Sequence, residues 1–256
     1  MANEKRNTLV VGATGGLGGA LSKKLIQRGD NLYASVRKNE AVDGAAKVIK
    51  NIDVSDPGAI TLLAKEMNGT IIDQLYIVAG YFTKEDIDNP NWEEEVKMYK
   101  ICAIAPVFIV SKLLKNNTLQ PNKSKIVMIT SEAGSITLRT QKEGGGLYGH
   151  HSSKAAQNMV GRLLSFDLAE KGIPIVMIHP GFLRTKLTKS VGFDQFYDEG
   201  GAVDPVEAVP PLLDLVEKLT IENSGKFMAP LGCKGVGNAE VIGPPEKLPI
   251  PLELPW

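Results

Sequence analysis

Short apolar runs alternate with longer amphipathic segments along the chain. Continuously apolar runs, rather than alternating ones, are typical of strands buried on both faces of a parallel sheet. Predicted strands cover residues 8–12, 31–37, 46–54, 71–80, 124–131 and 173–181. Predicted helices lie between them at 16–29, after Pro57, at 91–115, from about 147 to 172, and at 205–220, where Asp204 is the expected cap. The alternation predicts one α/β domain over 1–256, a doubly wound parallel sheet (Rossmann fold) with helices on both faces.

The composition narrows the possible partners and the compartment. Lys plus Arg equals Asp plus Glu at 29 each, which argues against an electrostatic nucleic-acid binder. Two cysteines, Cys102 and Cys233, are too few for a disulfide framework, so we expect a reducing, cytoplasmic compartment. No apolar run approaches the ~20 residues of a membrane span, and the polar start lacks the apolar core of a signal peptide. Three histidines and two distant cysteines show no metal-ligand spacing, so no metal is expected.

A glycine-rich turn joins the first predicted strand to the first predicted helix. The stretch VVGATGGLGGA places Gly12, Gly16 and Gly18 there. Glycine lets the backbone turn sharply and approach a pyrophosphate, while the helix N-terminus offers free N–H groups. The strand–turn–helix context predicts a dinucleotide site, and the alternative is a tight turn without a ligand.

The spacing G-x-x-x-G-x-G resembles that of the short-chain dehydrogenase/reductase family. Further motifs occur in the same order, namely NIDV at 51–54, VAG at 78–80, ITSEAG around Ser131, SSKAA around Lys154 and HPGFLRT at 179–185. The asparagines that precede A-G in the family are absent. The segments CAIAP, SEAGSI and GG-x-Y-x-H-x-x-S-K are most similar to the branch with Sniffer-type carbonyl reductases and C-factor proteins.

The resemblance implies a set of cofactor-binding residues. It comprises Gly12, Thr14, Gly15, Gly16, Leu17, Gly18, Arg37, Asp53, Val54, Ala79, Gly80, Lys154, Pro180, Gly181 and Thr185. In this fold an acidic residue at the end of the second strand selects NAD. Here Arg37 and Lys38 stand there instead, and a guanidinium can pair with a 2′-phosphate in a forked geometry. We therefore predict NADP(H), with a merely solvated Arg37 as the alternative.

The catalytic set of the resembling family is altered in this chain. The resemblance assigns the serine to Ser131 and the lysine to Lys154. The position of the catalytic tyrosine, four residues before the lysine, falls on His150, and that of a water-anchoring asparagine falls on Cys102. Residues four apart share one helical face. The resemblance thus implies a reductase in which two of the four catalytic positions, those of the tyrosine and the asparagine, carry other residues.

Two side chains are candidates for the missing acid. A neutral His150 imidazole could donate one N–H bond to a carbonyl oxygen and polarise it for hydride attack. Tyr148 lies six residues before Lys154, roughly 240° around a helix. We interpret it first as part of the pocket wall and second as the acid. The other possibility is that His150 only fills space. The function could then be non-redox (isomerase, dehydratase or cyclase) or regulatory.

The substrate side is expected to be apolar. Residues 182–203 occupy the place of the family's substrate lid and carry Phe182, Leu183, Val191, Phe193, Phe196 and Tyr197. They favour a small hydrophobic substrate with a ring, unless this segment simply packs on the core. The loop 138–146, with Arg139, Lys142 and three glycines, could roof the pocket. The proline-rich tail 243–256 is read as an extended surface strap. By resemblance, the helices 91–115 and 150–171 imply a homodimer or homotetramer.

Overall fold

Eight strands form one sheet in the computed structural model, which describes residues 5–256. They are β1 Asn7–Val11, β2 Asn31–Ser35, β3 Lys47–Ile49, β4 Gln74–Ile77, β5 Lys125–Ile129, β6 Ile175–Ile178, β7 Phe227–Ala229 and β8 Leu252–Glu253. Their order is β3-β2-β1-β4-β5-β6-β7-β8, and every pair is parallel except the antiparallel β7 and β8. The predicted doubly wound α/β fold is confirmed. The strand order changes direction between β1 and β4, which creates a switch point.

Helices cover both faces of the sheet. They are α1 Gly16–Arg28, α2 Pro57–Glu66, α3 Trp92–Tyr99, α4 Ala105–Lys115, α5 Tyr148–Ala169, α6 Lys186–Ser190 and α7 Pro205–Glu217. Apolar side chains of α1 and α7 pack on one face, and those of α2, α4 and α5 pack on the other. None of the helices among residues 5–256 has the length and apolar character needed to cross a membrane.

The third strand is shorter than its apolar run predicts. Residues 46–54 were expected to be extended, but pairing with β2 stops at Ile49. Asn51 adopts a left-handed backbone, with φ of 59°, and turns the chain away from the strand direction. A positive φ is one that Asn tolerates better than most residues. The turn frees Asp53 and Val54 from the sheet.

The predicted long helix over 91–115 contains an irregular turn. Residues Lys100–Ile104 form a π-helical segment between α3 and α4, and Cys102 lies inside it. Asn91 caps the helix start, because its side-chain oxygen accepts a hydrogen bond from the Glu94 N–H at 3.1 Å. Asp204 stands at the expected cap position of α7 but makes no side-chain capping bond.

The C-terminal tail lies on the surface over residues 243–251, as expected, but its end joins the sheet. Its residues Leu252–Glu253 pair with β7, and the Leu254 N–H donates to the Phe227 carbonyl at 2.8 Å. Leu252 and Leu254 are both buried in the core beneath the sheet. The strand pair β7–β8 was not predicted, since its contacts join segments about 25 residues apart.

Truncation of the tail's buried side chain tests this arrangement. Leu254→Ala should lower the free energy of unfolding by about 2–5 kcal/mol, because it opens a cavity in the core. Glu253→Ala at the preceding position should cost less than about 1 kcal/mol, since its ion pair with Lys226 is exposed. Denaturant titration measures both changes. Equal effects of the two variants would show that the tail is not packed as described.

Candidate active site

A cleft of about 1720 Å³ opens at the carboxyl ends of the parallel strands. Its walls come from the segments after β1, β2, β4, β5 and β6, from the start of α5, and from residues 182–201 and 233–237. Open α/β sheets bind ligands outside the carboxyl ends of their strands, at a switch point. The cleft has this location.

The turn between β1 and α1 brings bare backbone to the cleft. Gly12 and Gly16 have φ of +91° and +37°, which side-chain-bearing residues rarely adopt. A Cβ on Gly12 would lie 2.8 Å from the Ala79 nitrogen, and one on Gly16 would lie 2.8 Å from Thr185 Cγ2. The turn therefore has no room for side chains where it meets the segments after β4 and β6.

Gly18 has a different role from the expected one. It does not line the cleft, because a Cβ at this position would collide with the Gly12 carbonyl oxygen behind the turn. It permits close packing of the helix on the strand. The other predicted cofactor-binding residues line the cleft: Gly12, Thr14, Gly15, Gly16, Leu17, Arg37, Asp53, Val54, Ala79, Gly80, Lys154, Pro180, Gly181 and Thr185.

Opposite charges face each other at the far end of the cleft. Arg37 is exposed after β2 and forms no ion pair with a carboxylate among residues 5–256. Asp53 accepts hydrogen bonds from the Ser55 N–H at 3.0 Å and the Ser55 hydroxyl at 2.7 Å. Burial raises the pKa of Asp53, but these hydrogen bonds and the charge of Arg37 outweigh it and hold the pKa below its ordinary value. Asp53 is therefore a carboxylate at neutral pH.

Ser131 follows β5 and is packed against α5. Its Oγ accepts a hydrogen bond from the Ala133 N–H at 3.1 Å, at the start of a short 3-10 turn. A Cβ on Gly134 would lie only 2.6 Å from the carbonyl carbon of Lys154. The backbone of this turn thus touches the backbone of α5, and both Ser131 and Lys154 line the same cleft.

The Lys154 ammonium is buried in the cleft wall. Only 7% of the residue is exposed, and Nζ donates to the Ile129 carbonyl at 3.2 Å and to Gln157 Oε1 at 2.8 Å. An ammonium has three donors, so one N–H remains for a ligand. Gly80 lies beside it, since a Cβ there would be 4.0 Å from Nζ.

His150 lies one helical turn before Lys154 and lines the cleft. Its ring stacks on Phe82, with centroids 4.0 Å apart and planes inclined by 28°. The Nδ1 atom is enclosed and has no hydrogen-bond partner among residues 5–256. Burial lowers the pKa of His150 well below 6.5, and the charge of Lys154 lowers it further. The imidazole is therefore neutral near pH 7.

A charged cluster adjoins this wall. The His151 Nδ1–H donates to the Leu147 carbonyl at 3.0 Å, and its Nε2 lies 3.3 Å from Arg139 Nη1. Arg139 also forms ion pairs with Glu132 and Glu143. Burial raises the pKa of Glu132 to about 7, although Arg139 opposes this shift. Arg139 is thus anchored by carboxylates, whereas Lys142 is exposed and does not line the cleft.

Tyr148 and Cys102 differ in their relation to the cleft. Tyr148 is the first residue of α5, is 39% exposed and lines the cleft. Cys102 is fully buried in the apolar core and is not among the lining residues. The side chain at position 102 therefore does not reach the cleft and cannot take part in a polar relay there.

The lid segment consists of two short helices rather than an open loop. These are α6 and a 3-10 turn at Phe193–Phe196, held by hydrogen bonds of the Tyr197 hydroxyl to Thr188 Oγ1 and the Thr185 carbonyl. Phe182, Leu183, Phe193 and Phe196 line the cleft, whereas Val191 and Tyr197 do not. Most of the expected apolar surface is thus presented to the cleft.

Several lining residues were not singled out from the sequence. Glu132 could have been proposed from the sequence as a cleft residue, because it directly follows Ser131. The sequence does not predict that Phe82 and residues 233–237 line the cleft, because only the fold brings them there. His179 joins the last segment to the wall: its Nδ1 accepts from the Glu132 N–H at 3.1 Å, and its Nε2–H donates to the Gly235 carbonyl at 2.8 Å.

The chain belongs to the short chain dehydrogenase family, whose model matches residues 6–195. The chain is 29% identical over 223 residues to the 1-hydroxy-2-glutathionyl-2-methyl-3-butene dehydrogenase of Rhodococcus sp. (strain AD45), covering 86% of this chain and 94% of that protein. It is also 29% identical over 140 residues to the C-signal protein of Myxococcus xanthus, covering 54% of this chain and 75% of that one.

Solved structures share the fold. Carbonyl reductase Sniffer of D. melanogaster superposes with a TM-score of 0.74 at 21% identity, covering 99% of this chain and 100% of that one. An NADPH-bound carbonyl reductase from chicken fatty liver superposes with a TM-score of 0.73 at 23% identity, covering 89% and 97%. The family assignment is confirmed. C-signal is among the similar proteins, and Sniffer is among the structures that share the fold.

The lowered pKa of His150 predicts a neutral ring. At pH 6.5 a histidine with an ordinary pKa is half protonated. We expect the His150 imidazole to be neutral at this pH and to gain a proton only at clearly lower pH. Nitrogen-15 NMR of the imidazole groups measures the charge state, and His150→Gln assigns the signal by removing it. Half-protonated His150 nitrogens at pH 6.5 would contradict the burial described.

Proposed function

We propose that the protein is an NADP(H)-dependent reductase of a hydrophobic carbonyl compound. One observation carries the proposal: the buried Lys154 ammonium lies in the same cleft wall as Ser131 and His150, next to the glycine turn. The family is one of dehydrogenases, and the cleft is large enough for a dinucleotide and a second small molecule.

The residues that line the cleft can bind a nicotinamide dinucleotide that carries a 2′-phosphate. Gly12 and Gly16 expose backbone at a helix start, where N–H groups can bind a pyrophosphate. Arg37 offers a guanidinium that forms no ion pair with a carboxylate in the described part of the chain, as a 2′-phosphate requires. When bound, NADPH supplies a hydride. The remaining N–H of Lys154 would bind its ribose, and Pro180, Gly181 and Thr185 would border its nicotinamide end.

The protein's own groups would act on the carbonyl oxygen. The Ser131 Oγ accepts from Ala133, so its O–H is available to donate to a substrate oxygen. A neutral His150 can donate one N–H to the same oxygen and stabilise developing negative charge. It is too weak an acid to give up its proton readily, so water supplies the proton. Tyr148 forms the outer wall.

The aromatic side chains at one end of the cleft indicate the proposed substrate class. Phe82, Phe182, Phe193 and Phe196 line the end of the cleft beside His150. Such a surface favours a small apolar molecule with a ring. Assays should therefore cover aromatic and alicyclic aldehydes and ketones. A glutathione-conjugated alcohol belongs in the panel for the reverse reaction, because the Rhodococcus relative is named for one.

The neutral His150 also favours a second candidate. A histidine at the position where the resemblance places the catalytic tyrosine leaves room for a reaction without net redox on the same scaffold, as in an isomerase, dehydratase or cyclase. Product formed without NADPH consumption would establish this alternative. Tight NADPH binding without turnover of any compound would instead indicate a regulatory protein.

A homodimer is proposed through α4 and α5. Val107 and Phe108 on α4 and Met159, Leu163 and Phe166 on α5 are exposed apolar side chains. Such a patch marks an association surface. Leu163→Glu should shift the protein to a monomer in analytical ultracentrifugation. Val206→Glu, on α7 across the sheet, should leave the dimer intact. A wild-type monomer would contradict the proposal.

The proposed compartment is cytoplasmic, and both cysteines are free.

The donor role of His150 is tested by substitution. His150→Ala should lower kcat by about 10²-fold, because loss of one donor to a developing oxyanion costs this much. His151→Ala is the matched control and should leave kcat nearly unchanged, because His151 bonds Arg139 and Leu147 instead. The measurement is NADPH consumption with the carbonyl panel. His150→Tyr should retain or raise activity. Equal losses in the two alanine variants would refute the assignment.

A further inference from the structure

Phe82 connects the lid to His150. It follows β4, is 6% exposed, and stacks on the imidazole at 4.0 Å. On its other side it meets the ring of Phe193 edge-on, with centroids 5.4 Å apart. The lid has a second contact with the same segment, since the Lys84 ammonium lies 5.0 Å from the centre of the Phe193 ring. One aromatic residue therefore contacts both the lid and the proposed donor.

The segment 81–85 also holds the start of α5. The Leu147 N–H donates to the Glu85 carbonyl at 2.9 Å, and the Gly149 N–H donates to Glu85 Oε1 at 2.6 Å. The helix has no side-chain cap of its own, because Leu147 stands at the cap position. A carboxylate at a helix N-terminus satisfies an otherwise unpaired N–H. The segment thus fixes the backbone immediately before His150.

No hydrogen bond orients the imidazole itself. Nδ1 is enclosed without a partner, and no side chain or backbone group among residues 5–256 bonds either ring nitrogen. Ring orientation is therefore determined by packing. The Phe82 ring stacks on it at 4.0 Å, whereas the His151 ring meets it edge-on at 5.4 Å, and aromatic pairs have preferred relative orientations.

We propose that Phe82 is a positioning residue, which holds the His150 ring in its donor orientation and makes that orientation depend on the lid through Phe193. The donor role rests on the function proposed above, whereas the stack does not. Phe82→Leu keeps an apolar side chain of similar size but removes the planar surface. Phe82→Tyr keeps the plane and serves as the conservative rescue.

The first measurement needs no turnover. In wild-type protein, the Phe82 ring current should shift the His150 ring-proton NMR signals upfield. Phe82→Leu should abolish that shift, and Phe82→Tyr should retain it. Phe193→Leu should change the shift in part, because it removes the contact between Phe82 and the lid. Unchanged His150 signals in Phe82→Leu would overturn the proposal, whatever reaction the protein catalyses.

The second measurement is a double-mutant cycle on kcat. Phe82→Leu should lower kcat about tenfold, equivalent to about 1.4 kcal/mol, with little change in the KM for NADPH. In the His150→Ala background it should have no further effect, because its partner is gone. Phe182→Leu is the lid control, and its effect should be the same in both backgrounds. An equal loss from Phe82→Leu in both backgrounds would show a merely structural role. If His150→Ala itself leaves kcat unchanged, the proposed donor role fails, and the NMR result alone decides whether Phe82 sets the ring.

Discussion

Close packing of α5 against the segment after β5 is the constraint on which the site depends. Gly134 lies so near the helix that a Cβ there would be 2.6 Å from the Lys154 carbonyl carbon. This approach lets the Lys154 ammonium reach the Ile129 carbonyl at 3.2 Å. Burying an ammonium is costly unless its donors are bonded. The two protein acceptors offset that cost, and the remaining donor is left for a ligand in the cleft. Ser131 and His150 line the same wall because they flank this contact.

The charge state of His150 separates this site from one based on a phenol. Burial and the neighbouring ammonium both disfavour the imidazolium. In the proposed reaction, a neutral ring stabilises a developing oxyanion by one hydrogen bond, so that catalysis relies on orientation rather than on proton supply. We propose that the stack on Phe82 determines this orientation, since Nδ1 has no hydrogen-bond partner among residues 5–256. His150 and its aromatic neighbour Phe82 therefore act as one unit in the proposed reaction.

The order of strands and helices and the glycine turn could be predicted, because each has a local pattern with a physical cause. The pairing of Ser131 with Lys154 was implied only by the resemblance to the family. Apolar runs mark buried strands, and glycines mark positive φ. The role of Gly18, the strand β8 and the stack of Phe82 on His150 could not be. They depend on contacts between segments distant in sequence, 68 positions apart for Phe82 and His150. A neutral His150 was considered from the sequence, but its enclosed Nδ1 required the fold.

The central claim is that the cleft binds a phosphorylated nicotinamide nucleotide through its glycine turn and Arg37. Calorimetric titration of the folded protein with NADPH and NADH tests it most directly. The account predicts tighter binding of NADPH. It also predicts that Arg37→Glu weakens NADPH binding about tenfold or more, through loss of a charge-assisted contact, without weakening NADH binding. Absence of binding by either nucleotide, or equal affinity of Arg37→Glu and wild type for NADPH, would contradict it.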